Sequence, residues 1–287
     1  MPNIKIAAVA VSENIVSRSQ RIEWLLAAVK EAKGKGASAV VFPEGCLSHR
    51  TTEGIHAYCD EKSARPMARK ISHPDIAAFR DAAKKHRLTV LLNTEELDKG
   101  KVFNTTFFFS SKGELLGRYR KHFLPPGEAE VGFTPGEYMR PIKTPIGTIG
   151  CLICWEIHFP EVCVRHLVEG ANLFIWQTMP FGEMPMSVPA RVASRAADLA
   201  SPFLVVTYAL PDERASMWDG ISTMAADSFG RIIGSAPQKP GVYVFDVNPD
   251  EQLRFVPWGE PPEKWQDRKA LIADARRKAG IIRRGST

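Results

Sequence analysis

Short apolar runs alternate along this chain with stretches whose apolar positions recur every three to four residues. Residues 4–11 are an apolar run of strand length, and residues 19–33 carry Ile22, Leu25, Leu26 and Val29 on one helical face with Gly34 at the end. Residues 38–42 predict a second strand. The polar, irregular stretch 45–72 predicts a wall beside it. A helix over 74–86 and a strand over 88–92 complete a strand–helix rhythm.

The grammar then changes. Residues 102–110 and 114–120 read as an antiparallel hairpin turned at Ser111-Lys112-Gly113. A proline- and glycine-rich loop runs to Gly136, and a second hairpin is expected from 139–143 and 147–153. The stretch 148–153 is apolar and short, the profile of a strand covered on both faces. Pro160 suits the first turn of a helix over 160–169, which Gly170 ends. A strand over 172–176, a loop, a helix over 187–200 and strands over 203–207, 223–227, 231–233 and 242–247 follow. Residues 261–279 predict a last helix. Helices between strands, with hairpins mixed in, imply an α/β fold of mixed sheets covered by helices.

Composition changes this picture little. The chain has 287 residues, 44% hydrophobic and 24% charged, which places it among ordinary globular proteins. No linker divides it, so we expect one domain over 1–255 and a C-terminal extension over 256–287. Five cysteines are too few for a disulfide scaffold. The start shows no signal-peptide core and no run is long enough to span a bilayer, so a cytoplasmic protein away from membranes is expected. The net charge of +6 gathers partly in residues 268–284, a solvated basic tail without interleaved aromatics. No nucleic-acid partner is expected.

Three strand ends carry chemistry. The apolar run Ala39-Val40-Val41-Phe42-Pro43 ends in Glu44, Leu115 to Arg120 leads into Lys121, and Thr148 to Ile153 leads into Cys154. A carboxylate, a cation and a thiol at the carboxyl ends of strands lie where α/β sheets place their sites. A nearby helix start and a cation would favour the thiolate. Cys151 and Cys154 are too far apart along one strand, roughly 10 Å between Cα atoms, to form a disulfide. No metal site is expected, and no Gly-x-Ser-x-Gly elbow, phosphate loop or His-Glu-x-x-His is present.

Through Phe42-Pro43-Glu44, Arg120-Lys121-His122 and Cys154-Trp155-Glu156, taken in that order, the chain resembles the nitrilase (carbon–nitrogen hydrolase) superfamily. The resemblance implies a four-layer α-β-β-α sandwich and a homo-oligomer, dimer or larger. It also implies a Glu44–Lys121–Cys154 triad acting without a cofactor on a small amide, carbamoyl compound or nitrile. A second glutamate is implied before Phe133-Thr134-Pro135-Gly136, either Glu128 or Glu130. The Trp155 backbone N–H would help hold the oxyanion, and Gln177, Thr178 and Met179 would line the substrate pocket. His158 stands where relatives often carry arginine. An amide is favoured; a nitrile, or acyl transfer or binding without hydrolysis, are the alternatives.

Overall fold

A computed structural model describes residues 3–12, 18–48, 64–138, 140–179, 187–210 and 219–250. The expected helix over 261–279, the 256–287 extension with its basic tail, Met139, and the pocket-loop residues 180–182 lie outside the described residues.

Two six-stranded mixed sheets form the centre. One has the order β12 (Gly241–Val247), β1 (Ile4–Ala10), β2 (Ala39–Val41), β3 (Thr89–Asp98), β4 (Lys101–Phe109) and β5 (Leu115–Arg120). The other has the order β11 (Ile232–Ser235), β10 (Met224–Ala226), β9 (Phe203–Val206), β8 (Leu173–Gln177), β7 (Gly147–Ile153) and β6 (Ile142–Thr144). Strands β1–β2–β3 and β7–β8–β9 run parallel, with antiparallel strands at the flanks.

Strand periodicity explains the layers, because successive side chains leave opposite faces. Ile6, Ala8, Val41, Leu91 and Phe108 of the first sheet pack with Ile149, Cys151, Ile153, Ile175 and Leu204 of the second. The alternate residues, such as Ala7, Val9, Val40, Leu152, Phe174 and Val205, pack in the cluster that includes the helices. These helices are α1 (Arg18–Gly34) and α2 (Pro74–His86) beside the first sheet, and α4 (Pro160–Val168) and α5 (Val188–Leu199) beside the second. Full burial of each large aliphatic or aromatic side chain contributes about 1.5–3 kcal/mol.

Two elements differ from expectation in ways that bear on the site. Strand β3 does not stop at residue 92 but runs to Asp98 and turns at Lys99-Gly100, both with positive φ. This is the backbone that a two-residue hairpin of matching twist requires. The polar run Asn93 to Glu96 stays in the strand because its side chains find buried partners. Asn93 donates to Asn104 at 3.1 Å, and Glu96 accepts from Thr105 and Arg120 at 2.8 Å each. The proline-rich loop after Lys121 holds the short helix α3 (Pro126–Glu130), where Pro126 occupies a first-turn position that needs no N–H. Strand β6 begins at Ile142, after Pro141.

The loop past α3 closes on β5 at Gly136, whose N–H donates to the Lys121 carbonyl at 2.8 Å. A Cβ there would clash with the Arg120 carbonyl oxygen, a backbone atom that cannot step aside cheaply. Gly136→Ala should therefore lower stability by about 1–3 kcal/mol, the usual cost of overpacking. Thermal unfolding reads this, and an unchanged midpoint would contradict the packing described.

Candidate active site

Glu44, Lys121 and Cys154 each stand just beyond a strand, and the strands converge from both sheets. The Phe42 N–H pairs with Leu91 and the Tyr208 hydroxyl donates to the Glu44 carbonyl at 3.0 Å, so the turn after β2 is held on two sides. Lys121 continues the β5 ladder by donating its N–H to Asn104 at 2.8 Å. Cys154 follows β7 in a left-handed conformation, φ 45°, and opens a 3-10 turn over Cys154–His158. A non-glycine residue there costs on the order of 1–3 kcal/mol. The turn persists because Trp176 Nε1 donates to the Cys154 carbonyl at 2.9 Å and the Ile153 N–H donates to Glu156 at 2.9 Å.

The structure brings Lys121 between two carboxylates. Its Nζ lies 3.2 Å from Glu44 Oε1 and 2.8 Å from Glu128 Oε1, and all three side chains are buried. Of the two candidate second glutamates, Glu128 turns inward from α3, while Glu130 is exposed at its end. Burial alone would lower the Lys121 pKa, but Glu128, Glu44 and Cys154 together lift it above the ordinary ammonium value. Burial pushes the Glu128 carboxyl up, as does Glu44, against the pull of Lys121.

The thiol is governed by the same charges. Burial and the Glu44 carboxylate push the Cys154 pKa up to about 12, and Lys121 and the Thr178 hydroxyl oppose them without prevailing. The sequence suggested a thiolate favoured by a helix start. In the fold, α4 begins only at Pro160, and desolvation beside two carboxylates outweighs one ammonium. The group therefore rests as a thiol rather than a thiolate.

The remaining expected residues divide. The Met179 N–H donates to Glu44 Oε2 at 2.9 Å, and its carbonyl lies 3.9 Å from Cys154 Sγ. Thr178, next to Met179 in the chain, is fully buried. Gln177 ties the sheets together, donating to the Phe42 carbonyl and accepting from Thr106, both at 2.6 Å. The Trp155 side chain is 39% exposed and packs on His158.

Two residues escaped the sequence reading. Glu156 is fully buried and accepts from the Ile153 N–H, the His122 N–H at 2.7 Å and the Tyr119 hydroxyl at 2.9 Å. It thus ties the strand end that carries Lys121 to the turn that carries Cys154. Burial raises its pKa to about 7 despite those donors. Asn104 donates to Glu44 at 2.8 Å and to Glu128 at 3.3 Å. Both sit inside the motifs or strands already noted, where a polar residue gives no sign of which way it faces.

A carbon–nitrogen hydrolase family profile matches residues 5–252. The chain therefore belongs to the carbon–nitrogen hydrolase family, and it is an enzyme. It is 28% identical over 280 residues to "Probable hydrolase nit2" of Schizosaccharomyces pombe, covering 88% of this chain and 95% of that protein. It is 29% identical to "Nitrilase 1" of Arabidopsis thaliana over 51% of this chain and 45% of that one. Its fold matches a mutant of the Nesterenkonia AN1 amidase at TM-score 0.72 and 17% identity, over 98% of this chain and 97% of that one.

The desolvated Cys154 thiol makes stability depend on alkaline pH. Its folded pKa of about 12 lies above the unfolded value of 9.0, so the folded state keeps a proton that the unfolded chain loses. The contribution of this thiol is then level below about pH 9 and falls as pH rises from there towards 12. Cys46 and Cys163, each also raised to about 12, act in the same sense. Thermal unfolding across pH 8–11 should show a shallower decline in Cys154→Ala than in the unsubstituted protein (an approximate window around the unfolded thiol value). Parallel curves would contradict this electrostatic account.

Proposed function

We propose that this carbon–nitrogen hydrolase cleaves a small non-peptide amide through a thioester on Cys154, with Glu44 as base and Lys121 as the cation that holds developing negative charge. The observation that carries the reading is the shared burial of Lys121 with Glu44 and Glu128 beside a thiol whose pKa all three control.

Glu44 takes the thiol proton as sulfur attacks the amide carbon, forming the C–S bond and moving the carbonyl π pair onto oxygen. Lys121 Nζ and the Trp155 N–H stabilise that oxyanion; a preorganised donor of this kind is worth about a hundred- to a thousand-fold in rate. Collapse breaks the C–N bond, and the leaving nitrogen takes the proton from Glu44 and departs as ammonia or an amine. Water then attacks the thioester, giving its proton to Glu44. The second collapse breaks the C–S bond and returns the proton to sulfur. One water is consumed, and one carboxylic acid and one ammonia or amine are formed.

Glu128 holds Lys121 in place, and Thr178 and Met179 form the wall on the sulfur side. The same groups could act on a nitrile, a reading favoured by the nitrilase named among the relatives. Self-association belongs to the proposal as well, on the resemblance alone.

Mass spectrometry of the intact protein, mixed with panels of small amides and nitriles, tests this reading. The expected result is an acyl adduct on Cys154 with amides, absent in Cys154→Ala together with turnover. Adducts with nitriles alone would move the assignment to a nitrilase, and hydrolysis by Cys154→Ala would sink the mechanism.

A further inference from the structure

A line of buried side chains leaves the Glu44 turn and returns to it. The Gly45 N–H, which can only donate, meets Asn93 Oδ1 at 2.7 Å. Asn93 must therefore turn its NH2 towards Asn104 Oδ1 and Thr106 Oγ1, each at 3.1 Å. Asn104, accepting through its oxygen, must turn its NH2 towards the carboxylates, at 2.8 Å from Glu44 Oε1 and 3.3 Å from Glu128 Oε1.

A second anchor gives the same polarity. The Phe42 carbonyl can only accept, so Gln177 faces it with nitrogen at 2.6 Å and presents oxygen to the Thr106 hydroxyl at 2.6 Å. Thr106 must donate there, which leaves its lone pairs for Asn93. Phe42 and Gly45 flank Glu44 in the chain, so the turn that carries the base dictates the direction of every bond in the circuit. Asn93, Asn104, Thr106 and Gln177 are all fully or nearly fully buried, so water does not compete for these bonds.

Four carboxylate oxygens face this arrangement. Glu44 Oε1 accepts from Asn104 and Lys121, Glu44 Oε2 from the Met179 N–H, and Glu128 Oε1 from Lys121 and Asn104. Glu128 Oε2 is buried without a hydrogen-bond partner among the described residues. An oxygen that already faces N–H donors is a poor place for a proton.

We infer that Asn104, aimed by Asn93, is a positioning residue that steers any extra proton of the paired carboxylates away from the Glu44 oxygens and onto Glu128 Oε2. This deepens the proposed function and rests on Glu44 being its base. The titratable groups facing the two carboxylates are Lys121, at the end of β5, and Cys154, after β7. One ammonium between two buried carboxylates balances a single negative charge, so a proton on the second is the neutral arrangement. The upward push on Glu128 agrees with this.

The test needs no substrate. The rate of Cys154 alkylation by iodoacetamide, followed against pH, has an acid limb set by ionisation of the carboxylate that takes the thiol proton. Asn104→Ala removes a donor to that carboxylate and should move the limb upward by about one pH unit. Asn93→Ala leaves Asn104 in place but unaimed, and should move it in the same direction by less. A purely structural role would lower the melting temperature and leave the limb where it was. Infrared difference spectra of the unsubstituted protein should contain a protonated-carboxyl component at neutral pH that is lost in Glu128→Gln and kept in Glu44→Gln. An unmoved acid limb in both asparagine variants, or a component lost in Glu44→Gln instead, would overturn the assignment. Failure of the thioester reading shows separately, as a missing acyl adduct with these profiles intact.

Discussion

One ammonium group buried between two carboxylates sets the terms for this site. Lys121 has no access to water, so its charge is tolerable only while Glu44 and Glu128 face it. Desolvating ions is costly, and a buried charge stripped of its partner destabilises by about 3–5 kcal/mol. The turn after β2 must therefore meet the end of β5 and the adjoining helix α3, with 77 positions separating Glu44 from Lys121. The same cluster bears on the protonation of Cys154. Burial beside Glu44 holds Cys154 as a thiol against the pull of Lys121.

Holding the sulfur near that cluster requires joining the two sheets. Hydrophobic contact between their inner faces brings them together but does not fix the strand ends to fractions of an ångström. Directional bonds do that. Gln177 spans from β8 to the Phe42 carbonyl, and Glu156 gathers the Ile153 and His122 N–H groups. The strained backbone at Cys154 is held by these surroundings, the usual condition for a residue in a sparsely populated conformation to persist at a functional site.

Much of this was legible in the sequence. Apolar runs of strand length and helices with one apolar face located nearly every described element, and Glu44, Lys121 and Cys154 each announced themselves by ending such a run. The sequence reading lost ground where polar residues are buried. Asn93 to Glu96 looked like the end of a strand because composition cannot reveal that Thr105, Asn104 and Arg120 supply partners across the sheet. Helix α3 was hidden by the prolines and glycine around it, and with it the choice between Glu128 and Glu130. Glu156 sat inside a recognised motif, but its role depends on which N–H groups converge on it, a three-dimensional fact. Gln177 followed a strand like a pocket residue and proved to face the other sheet.

The central claim is that Lys121 and its carboxylates stabilise one another rather than the fold independently. A double-mutant cycle on unfolding free energy with Lys121→Met and Glu128→Gln tests it most directly. Coupling predicts that Lys121→Met alone is strongly destabilising, and that Glu128→Gln costs clearly less in the absence of Lys121 than in its presence. Strictly additive losses would contradict the account.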